Sequence, residues 1–490
     1  MRAAISAVCV RPDEAFLIGL TGLLLVTGLT IGGQTPVAYL VIALPIIVGV
    51  TWWRPVYGFA LLLGLALITE EFEIGTLAGT IQPFSLQMLP IFRNLKDYTP
   101  FTGIAANAVE IWVVLLVGTW LIQGVLAHRL RLAPPPCTVA WILAVLTIAL
   151  AFGIGIAAGG DVKPALWEVR ALGYLLGLAW LVPQIVQRRS DLHLILWVVT
   201  LALGLKALQG LYRYFVILRT ELDLNETFMA HEDPVMFVPL LLLGIVLIHE
   251  RATPVLRRAI LVSAPVMLLA LMLTQRRAAY VSFGVCAPFL ALAVSAVARR
   301  KLLRLLVPCL LVAAAYALAF AGSSSPWARP IERALSLLDP AKSSNLYRIL
   351  ELENLQYTIQ THPWGIGFGH PYEMHRSLPK LGFPLYEYIP HNEVMWIWVK
   401  AGTIGFILVM FFFARVVADS TWTYRYLPDP LLRAVAVVIG LAVVNQLVAS
   451  YYDLQLTYSR NMIYLGTLIG LLRPIQEWGG LAAATPRWRL

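Results

Sequence analysis

The chain contains 490 residues, of which 59% are hydrophobic and only 13% are charged. Ordinary soluble domains carry roughly 25% charged residues, so this composition excludes a soluble globular protein and indicates an integral membrane protein. The net charge of +10 does not indicate nucleic-acid binding, because multi-pass membrane proteins retain an excess of Lys and Arg on their cytoplasmic side. We therefore expect membrane lipids, and no nucleic acid, among its partners.

Apolar runs that could cross a bilayer recur along the whole chain. A transmembrane helix needs about 20 mostly apolar residues, and by that rule there are about fourteen candidates, centred near residues 23, 44, 62, 116, 147, 177, 203, 242, 265, 287, 312, 405, 440 and 467. The first lacks a convincing small-residue cleavage site, so we interpret it as a retained anchor. The sequence thus predicts an all-α polytopic membrane protein with about 12–14 transmembrane helices.

Basic residues mark alternate connections between these runs. They are Arg54; His128, Arg129 and Arg131; Arg188 and Arg189; Arg251, Arg257 and Arg258; Arg299, Arg300, Lys301 and Arg304; Arg415 and Arg425; and Arg473, Arg487 and Arg489. The positive-inside rule makes these connections, and both termini, cytoplasmic. We predict eleven transmembrane helices with short loops over residues 1–321, a large outward loop over 322–390, and further transmembrane helices with a short cytoplasmic tail over 391–490.

The large outward loop contains a glycine-rich cluster from Pro363 to His370. Gly365, Gly367 and Gly369 look like a phosphate-binding loop only superficially, because no strand precedes them. Tight turns in a folded cap over the bundle are the better interpretation.

Metal-ligand patterns are weak. Neither CxxC nor HExxH occurs, and the outward acidic groups Glu70–Glu71 and Glu221–Asp223 are interpreted as solvated loop charge rather than as divalent-metal ligands. The loop histidines are interpreted as polar surface; they are His362, His370 and His375. We expect neither a metal nor a cofactor.

The segment that ends the outward loop is the strongest candidate for chemistry. Pro390 cannot continue a helix backwards and Asn392 is a good capping residue, so a helix is predicted to begin beside His391, at the water boundary. The free amides of its first turn attract anions such as phosphate and favour a neutral imidazole, which can accept a proton. His391 is therefore predicted to be catalytic, and the alternative is a capping or interfacial histidine without a reaction.

Four arginines lie on the same predicted side as His391: Arg170, Arg276, Arg277 and Arg348. Guanidinium groups stay charged and bind phosphate oxygens in a forked geometry, so several of them around one cavity suit a diphosphate-bearing lipid. The alternative is that each anchors a helix end at the lipid headgroups.

The C-terminal half of the chain resembles the O-antigen ligase and O-antigen polymerase superfamily of bacterial envelope glycosyltransferases. Pro390-His391-Asn392, followed by Gly402 and Gly405, is similar to the C-terminal signature of that family. An acidic residue is usual where this chain has Lys400, which must pair, face the bundle interior or snorkel.

The resemblance extends upstream to cover about residues 200–415. Arg348, followed by Pro363, Gly365 and Gly367, is similar to the family's loop arginine and its Pro-x-Gly-x-Gly turn. The helix start Gln275-Arg276-Arg277-Ala278-Ala279 is similar to an outward Ser-Arg-Gly-Ala-type start, which puts Arg277 at the family arginine and Arg276 at a position where a small hydroxyl residue is usual.

The resemblance implies a metal-independent, inverting glycosyltransferase on the periplasmic face of the bacterial inner membrane. It would move a glycan from an undecaprenyl-diphosphate carrier to an acceptor sugar hydroxyl. His391 would accept the hydroxyl proton, Arg277 and Arg170 would hold the diphosphate with help from Arg276 and Arg348, and Asn392, Gly365 and Gly367 would shape the site.

The acceptor distinguishes the functions that stay open. A ligase would attach the glycan to lipid A-core, whereas a polymerase would join O-antigen or exopolysaccharide repeat units. A secondary transporter of an anionic solute would also put arginines in a bundle, but it predicts inverted repeats and interrupted helices at the midplane. A purely scaffolding protein would tolerate changes at His391.

Overall fold

A computed structural model describes residues 36–72, 74, 91–97, 106–128, 130, 132–219, 227–294, 296–320, 323, 328–335, 343–379 and 385–481. Within these ranges the chain forms fifteen α-helices and no β-strand. The predicted all-α polytopic fold is therefore confirmed. The apolar run near residue 23 lies outside the described residues.

The chain divides into two compact units, Met1–Leu130 and Arg131–Leu490. The first contains α1 (Pro36–Trp53), α2 (Pro55–Ile68) and α3 (Ala108–Leu126). Asn107 begins α3 as an N-cap in a capping box with Glu110, because each side chain accepts a hydrogen bond from the other residue's backbone N–H.

The second unit contains the remaining helices. In chain order they are α4 (Thr138–Ala157), α5 (Val162–Ile185), α6 (Arg189–Tyr212), α7 (Asp233–Glu250), α8 (Pro254–Leu273), α9 (Arg277–Ala293), α10 (Ala296–Phe320), α11 (Arg329–Leu335), α12 (Ser343–Thr361), α13 (Glu393–Tyr426), α14 (Pro430–Tyr452) and α15 (Ser459–Trp478). A π-helical turn, Arg213–Ile217, extends α6. The helices α5, α7, α14 and α15 are largely buried and form the core of this unit.

Thirteen of the predicted apolar centres, from residue 44 to residue 467, lie within helices. Among the described residues, eight helices are long and apolar enough to cross a membrane. The short apolar helices α2 and α9 fall below that length.

The helices of the second unit have two chemically different ends. At one end, Arg189 at the start of α6 pairs with Asp429 at 2.7 Å, and Arg433 of α14 lies 3.4 Å from Glu250. The opposite end, which we call the site end, is where α5, α7, α9, α13 and α15 begin. His391 lies at the site end, directly before α13.

The glycine turn, residues 363–370, inserts into a break in α13. Gly402 has φ 69° and ψ 177°, which interrupts the helix. The carbonyls of Val399 and Lys400 instead accept hydrogen bonds from the amides of Ile366 and Gly367, at 2.9 and 3.0 Å. The turn thus replaces helix hydrogen bonds that the break removes, and it binds protein backbone rather than phosphate.

A methyl group at the break has no room. Gly402 has a positive φ that L residues rarely adopt, and its added Cβ would overlap the backbone of Trp364. We expect Gly402→Ala to lower the free energy of unfolding by at least about 1–3 kcal/mol, measured as a lower thermal unfolding temperature in detergent. Gly177→Ala in α5, where an added Cβ meets nothing within 4 Å, is the matched control and should be neutral or stabilising. Equal unfolding temperatures for Gly402→Ala and Gly177→Ala would contradict this interpretation of the break in α13.

Candidate functional site

His391 is held by a buried carboxylate on α12. Its backbone N–H donates to Glu351 Oε2 at 3.0 Å, and its ring Nδ1 lies 3.1 Å from Glu351 Oε1. The Glu351 side chain is 2% exposed and the imidazole 23% exposed. A neutral imidazole that donates from Nδ1 to a carboxylate leaves Nε2 as the proton acceptor. The pair therefore fixes the orientation of the His391 ring.

Tyr347 of α12 packs against the imidazole of His391. Its ring meets that of His391 edge to face, with centroids 5.4 Å apart. Its hydroxyl is buried without a hydrogen-bond partner among the described residues. Burial and the nearby charge of Glu351 raise the pKa of Tyr347, so this hydroxyl stays protonated and can donate to a substrate oxygen.

Helix α12 connects His391 to the arginines. Asn345, Arg348 and Glu351 are spaced three residues apart in one helix, so each side chain neighbours the next along it. Asn345 Oδ1 accepts a hydrogen bond from Arg277 at 2.9 Å. The rise from Asn345 to Glu351 is about 9 Å at 1.5 Å per residue. A single helix therefore brings Arg277, Arg348 and His391 together.

Arg276 joins this group through Asp453, the residue that follows α14. Asp453 interacts electrostatically with both Arg276 and Arg348. Terminal nitrogen Nη2 of Arg276 is buried and has no hydrogen-bond partner among the described residues. We call Arg276, Arg348 and Asp453 the arginine–aspartate cluster.

Glu393, two residues after His391, fixes the start of α13 against the loop before α15. Its buried carboxylate accepts hydrogen bonds from the backbone amides of Gln455, Leu456 and Thr457 and from the Thr457 hydroxyl. Because this loop begins at Asp453, Glu393 couples the position of His391 to that of the arginine–aspartate cluster.

Arg170 lies on α5, two residues after Glu168. Two residues correspond to about 200° around a helix, so Arg170 is on a different face from Glu168, which contacts α13. It is half-buried and has a contact of its own. The structure therefore groups Arg276, Arg277 and Arg348 around α12, while Arg170 projects from another helix.

Asn392 and the glycines at positions 365 and 367 shape the site through backbone contacts. Asn392 caps α13 by accepting a hydrogen bond from the Met395 amide at 3.1 Å. Gly365 and Gly367 belong to the glycine turn, which directly follows α12 in sequence. They position the end of α12 against α13 and contribute no side chain.

Lys400 pairs with a carboxylate from another helix. Its Nζ lies 2.7 Å from Glu168 Oε1, and both side chains are fully buried. The other oxygen of Glu168 accepts a hydrogen bond from the Gly369 amide at 2.7 Å, and Lys400 donates to the His370 carbonyl. The two charges thus compensate each other while holding the glycine turn in place.

The described residues contain no group of three or more His, Cys, Asp or Glu side chains arranged to hold a metal ion. His362 contacts Thr361, His370 contacts the Gly155 carbonyl, and His375 stacks on Tyr357. These three histidines are therefore dispersed. Glu221 and Asp223 lie outside the described residues.

Sequence reasoning missed the acidic residues that organise the site. Glu351 sits between Arg348 and Glu353 in a charged helix, and no spacing rule distinguishes it from its exposed neighbour. Asp453 had a usable signal, because it directly follows an apolar run that ends on the predicted outward side. His231, which lies 3.5 Å from Asp453, was likewise not singled out.

The comparison with protein families identifies this region. Residues 262–410 match the family model described as O-antigen ligase, which confirms over these residues the resemblance to the ligase and polymerase superfamily. The match includes Arg276 and Arg277 at the start of α9, the whole of α12, the glycine turn and His391. No curated protein matches the chain.

Removing the cation of the buried Lys400–Glu168 pair leaves a carboxylate without a counter-charge. We expect Lys400→Met to lower the free energy of unfolding by about 3–5 kcal/mol, and Glu168→Gln/Lys400→Met to recover part of that loss because neither charge remains. Thermal unfolding of the single and double variants in detergent measures the coupling. A Lys400→Met variant as stable as the parent would show that the pair does not compensate charge in this way.

Proposed function

We propose, from the premise that residues 262–410 form an O-antigen ligase family domain, that this membrane protein is a glycosyltransferase using a polyprenyl-diphosphate-linked glycan donor. The observation that carries the proposal is helix α12, where the His391–Glu351 pair lies beside arginines. A base and a set of fixed cations are the two elements that transfer from a diphosphate carrier requires.

His391 accepts the proton of the acceptor hydroxyl in this proposal. The hydroxyl oxygen attacks the anomeric carbon while the bond from that carbon to the diphosphate oxygen breaks, and the electron pair leaves with the diphosphate. Attack opposite the leaving group inverts the anomeric centre. Glu351 stabilises the imidazolium that forms, as a buried carboxylate does beside a histidine base.

The arginines act on the donor. Arg276, Arg277 and Arg348 supply guanidinium groups that bind diphosphate oxygens and stabilise the charge that grows as the bond breaks. The unpartnered Nη2 of Arg276 supports this role, since a buried donor without a partner is suited to a bound anion. Arg170 remains a further candidate, whose position on α5 suits the lipid-phosphate boundary more than the reacting carbon.

The site end is proposed to face the periplasm of a bacterial inner membrane. The basic connections of the second unit, including Arg189 and Arg433, lie at the opposite end of its helices, and the positive-inside rule makes that end cytoplasmic. An undecaprenyl-diphosphate glycan would then reach the site from the outer leaflet.

The acceptor separates ligase from polymerase. The experiment is reconstitution of the full chain with an undecaprenyl-diphosphate-linked glycan and either lipid A-core or a second carrier-linked repeat unit. Transfer to lipid A-core supports the ligase function that we favour, whereas elongation on the carrier assigns a polymerase. Transfer to neither acceptor by a folded protein would overturn the proposal.

His391→Ala should reduce glycan transfer by about 10²–10⁴-fold, the usual contribution of a general base. The side chain is partly exposed, so the change should leave folding intact. The measurement is the initial rate of transfer in liposomes, with His362→Ala as the control because His362 is an exposed loop histidine beside Glu373. Near-normal transfer by His391→Ala would refute the assignment of the base.

Glu351→Gln should lower kcat by about 10²-fold with little change in KM, because a neutral amide no longer stabilises the imidazolium. The matched control is Glu353→Gln on the same helix, since Glu353 forms an exposed pair with Arg376 at 3.0 Å and such pairs contribute little. The two variants are compared by kcat and KM for the acceptor. Equal kcat values would remove Glu351 from the mechanism.

A further inference from the structure

A second imidazole at the site end also lies beside a buried carboxylate. His231 lies directly before the acidic start of α7, and its Nδ1 is 3.5 Å from Asp453 Oδ2. The Asp453 side chain is 9% exposed and the His231 side chain 38% exposed. In both pairs a buried carboxylate faces Nδ1 while the imidazole remains partly open.

Asp453 stays ionised in this environment. Burial alone would raise its pKa, but the contact with His231 and the charges of Arg276 and Arg348 lower it below its usual value. Asp453 also interacts with Arg276 and Arg348, so His231 shares its carboxylate with the group that would bind an oxyanion.

The neighbours of His231 point to an anionic ligand. Asp453 interacts with Arg276, Arg348 and His231, and Arg276 also interacts with Glu232. The Arg276 Nη2 atom is buried without a hydrogen-bond partner among the described residues. Buried donors of native proteins nearly always have partners, so an oxyanion is the ligand that satisfies this group.

Buried ion pairs adjoin His231 in sequence. Arg460 is fully buried and forms ion pairs with Glu232 at 2.6 Å and with Asp233 at 2.7 Å. Glu232 is the residue after His231, and Tyr458 lies with its ring centroid 6.4 Å from that of His231. These ion pairs hold the two residues that follow His231, and Asp453 lies against its imidazole.

The two imidazoles are linked through α12. Arg348 interacts with Asp453, and Glu351, which holds His391, is one turn further along the same helix. Three residues correspond to a rise of about 4.5 Å. A donor diphosphate among the arginines would therefore have one imidazole near its phosphates and the other near the acceptor.

We propose that His231, positioned by Asp453, donates a proton to the departing diphosphate while His391 accepts the proton of the acceptor hydroxyl. This inference rests on the proposed function. The bond between the anomeric carbon and the diphosphate oxygen breaks, its electron pair stays on that oxygen, and the proton from His231 neutralises part of the new charge. Each histidine then exchanges one proton with water, which restores the starting states.

The test compares the full-length variants His231→Gln, His391→Ala and His362→Gln in the reconstituted transfer assay. We expect His231→Gln to lower kcat by about 10²-fold with a change in KM below about threefold, because acid catalysis acts on bond breaking. His362→Gln should match the parent, since His362 forms an exposed pair with Glu373.

The pH dependence of kcat/KM separates a proton donor from a structural residue. The parent should show a bell-shaped profile, because His391 must be neutral and His231 protonated. His231→Gln should lose the alkaline limb and keep the acidic one. The charged and titratable groups that face His231 are Asp453, Tyr458, Arg276, Arg348 and Glu232.

The outcomes distinguish this inference from the proposed function. Loss of transfer in His391→Ala with normal kcat in His231→Gln overturns the role of His231 alone. Normal transfer in both overturns the proposed function. A rise in KM without a fall in kcat overturns proton donation. If His231→Gln does not fold, the pH profile of kcat/KM for the parent protein is the test. A parent profile without an alkaline limb also overturns the inference.

Discussion

Charges buried among membrane helices must be paired or hydrogen-bonded, and this constraint organises the whole site end. Removing an ion from water costs several kcal/mol unless a partner compensates it. Four carboxylates meet this requirement by joining elements that are distant in sequence. They are Glu168, which joins α5 to α13; Glu351, which joins α12 to His391; Glu393, which joins α13 to the loop before α15; and Asp453, which joins the end of α14 to His231 and two arginines. Each of these contacts limits the position of a helix end at the site end.

The membrane architecture was predictable because it depends on local composition. An apolar run of sufficient length becomes a helix in lipid whatever surrounds it, since its backbone has no other partners there. Most of the predicted centres accordingly lie in helices. The motif beside His391 was also readable, because proline, a capping residue and paired glycines act within a few positions of one another.

The side-chain partners of the functional residues could not be predicted from local sequence in this way. Whether Glu351 or Glu353 faces His391 depends on the rotation of α12, which is set by packing against other helices. Lys400 illustrates the same limit. Its position deep in an apolar helix predicted a partner or an inward orientation, but its counter-ion, Glu168, lies 232 positions earlier in the chain, and no rule of spacing connects the two.

The interrupted helix α13 has a consequence for how the protein is assembled. Its open carbonyls at Val399 and Lys400 would each cost several kcal/mol if they faced lipid. The peptide that satisfies them, residues 363–370, is synthesised before α13. The glycine turn is therefore already available when the break in α13 emerges from the ribosome. A spanning helix with interrupted backbone hydrogen bonding can then enter the bilayer without leaving these carbonyls unsatisfied.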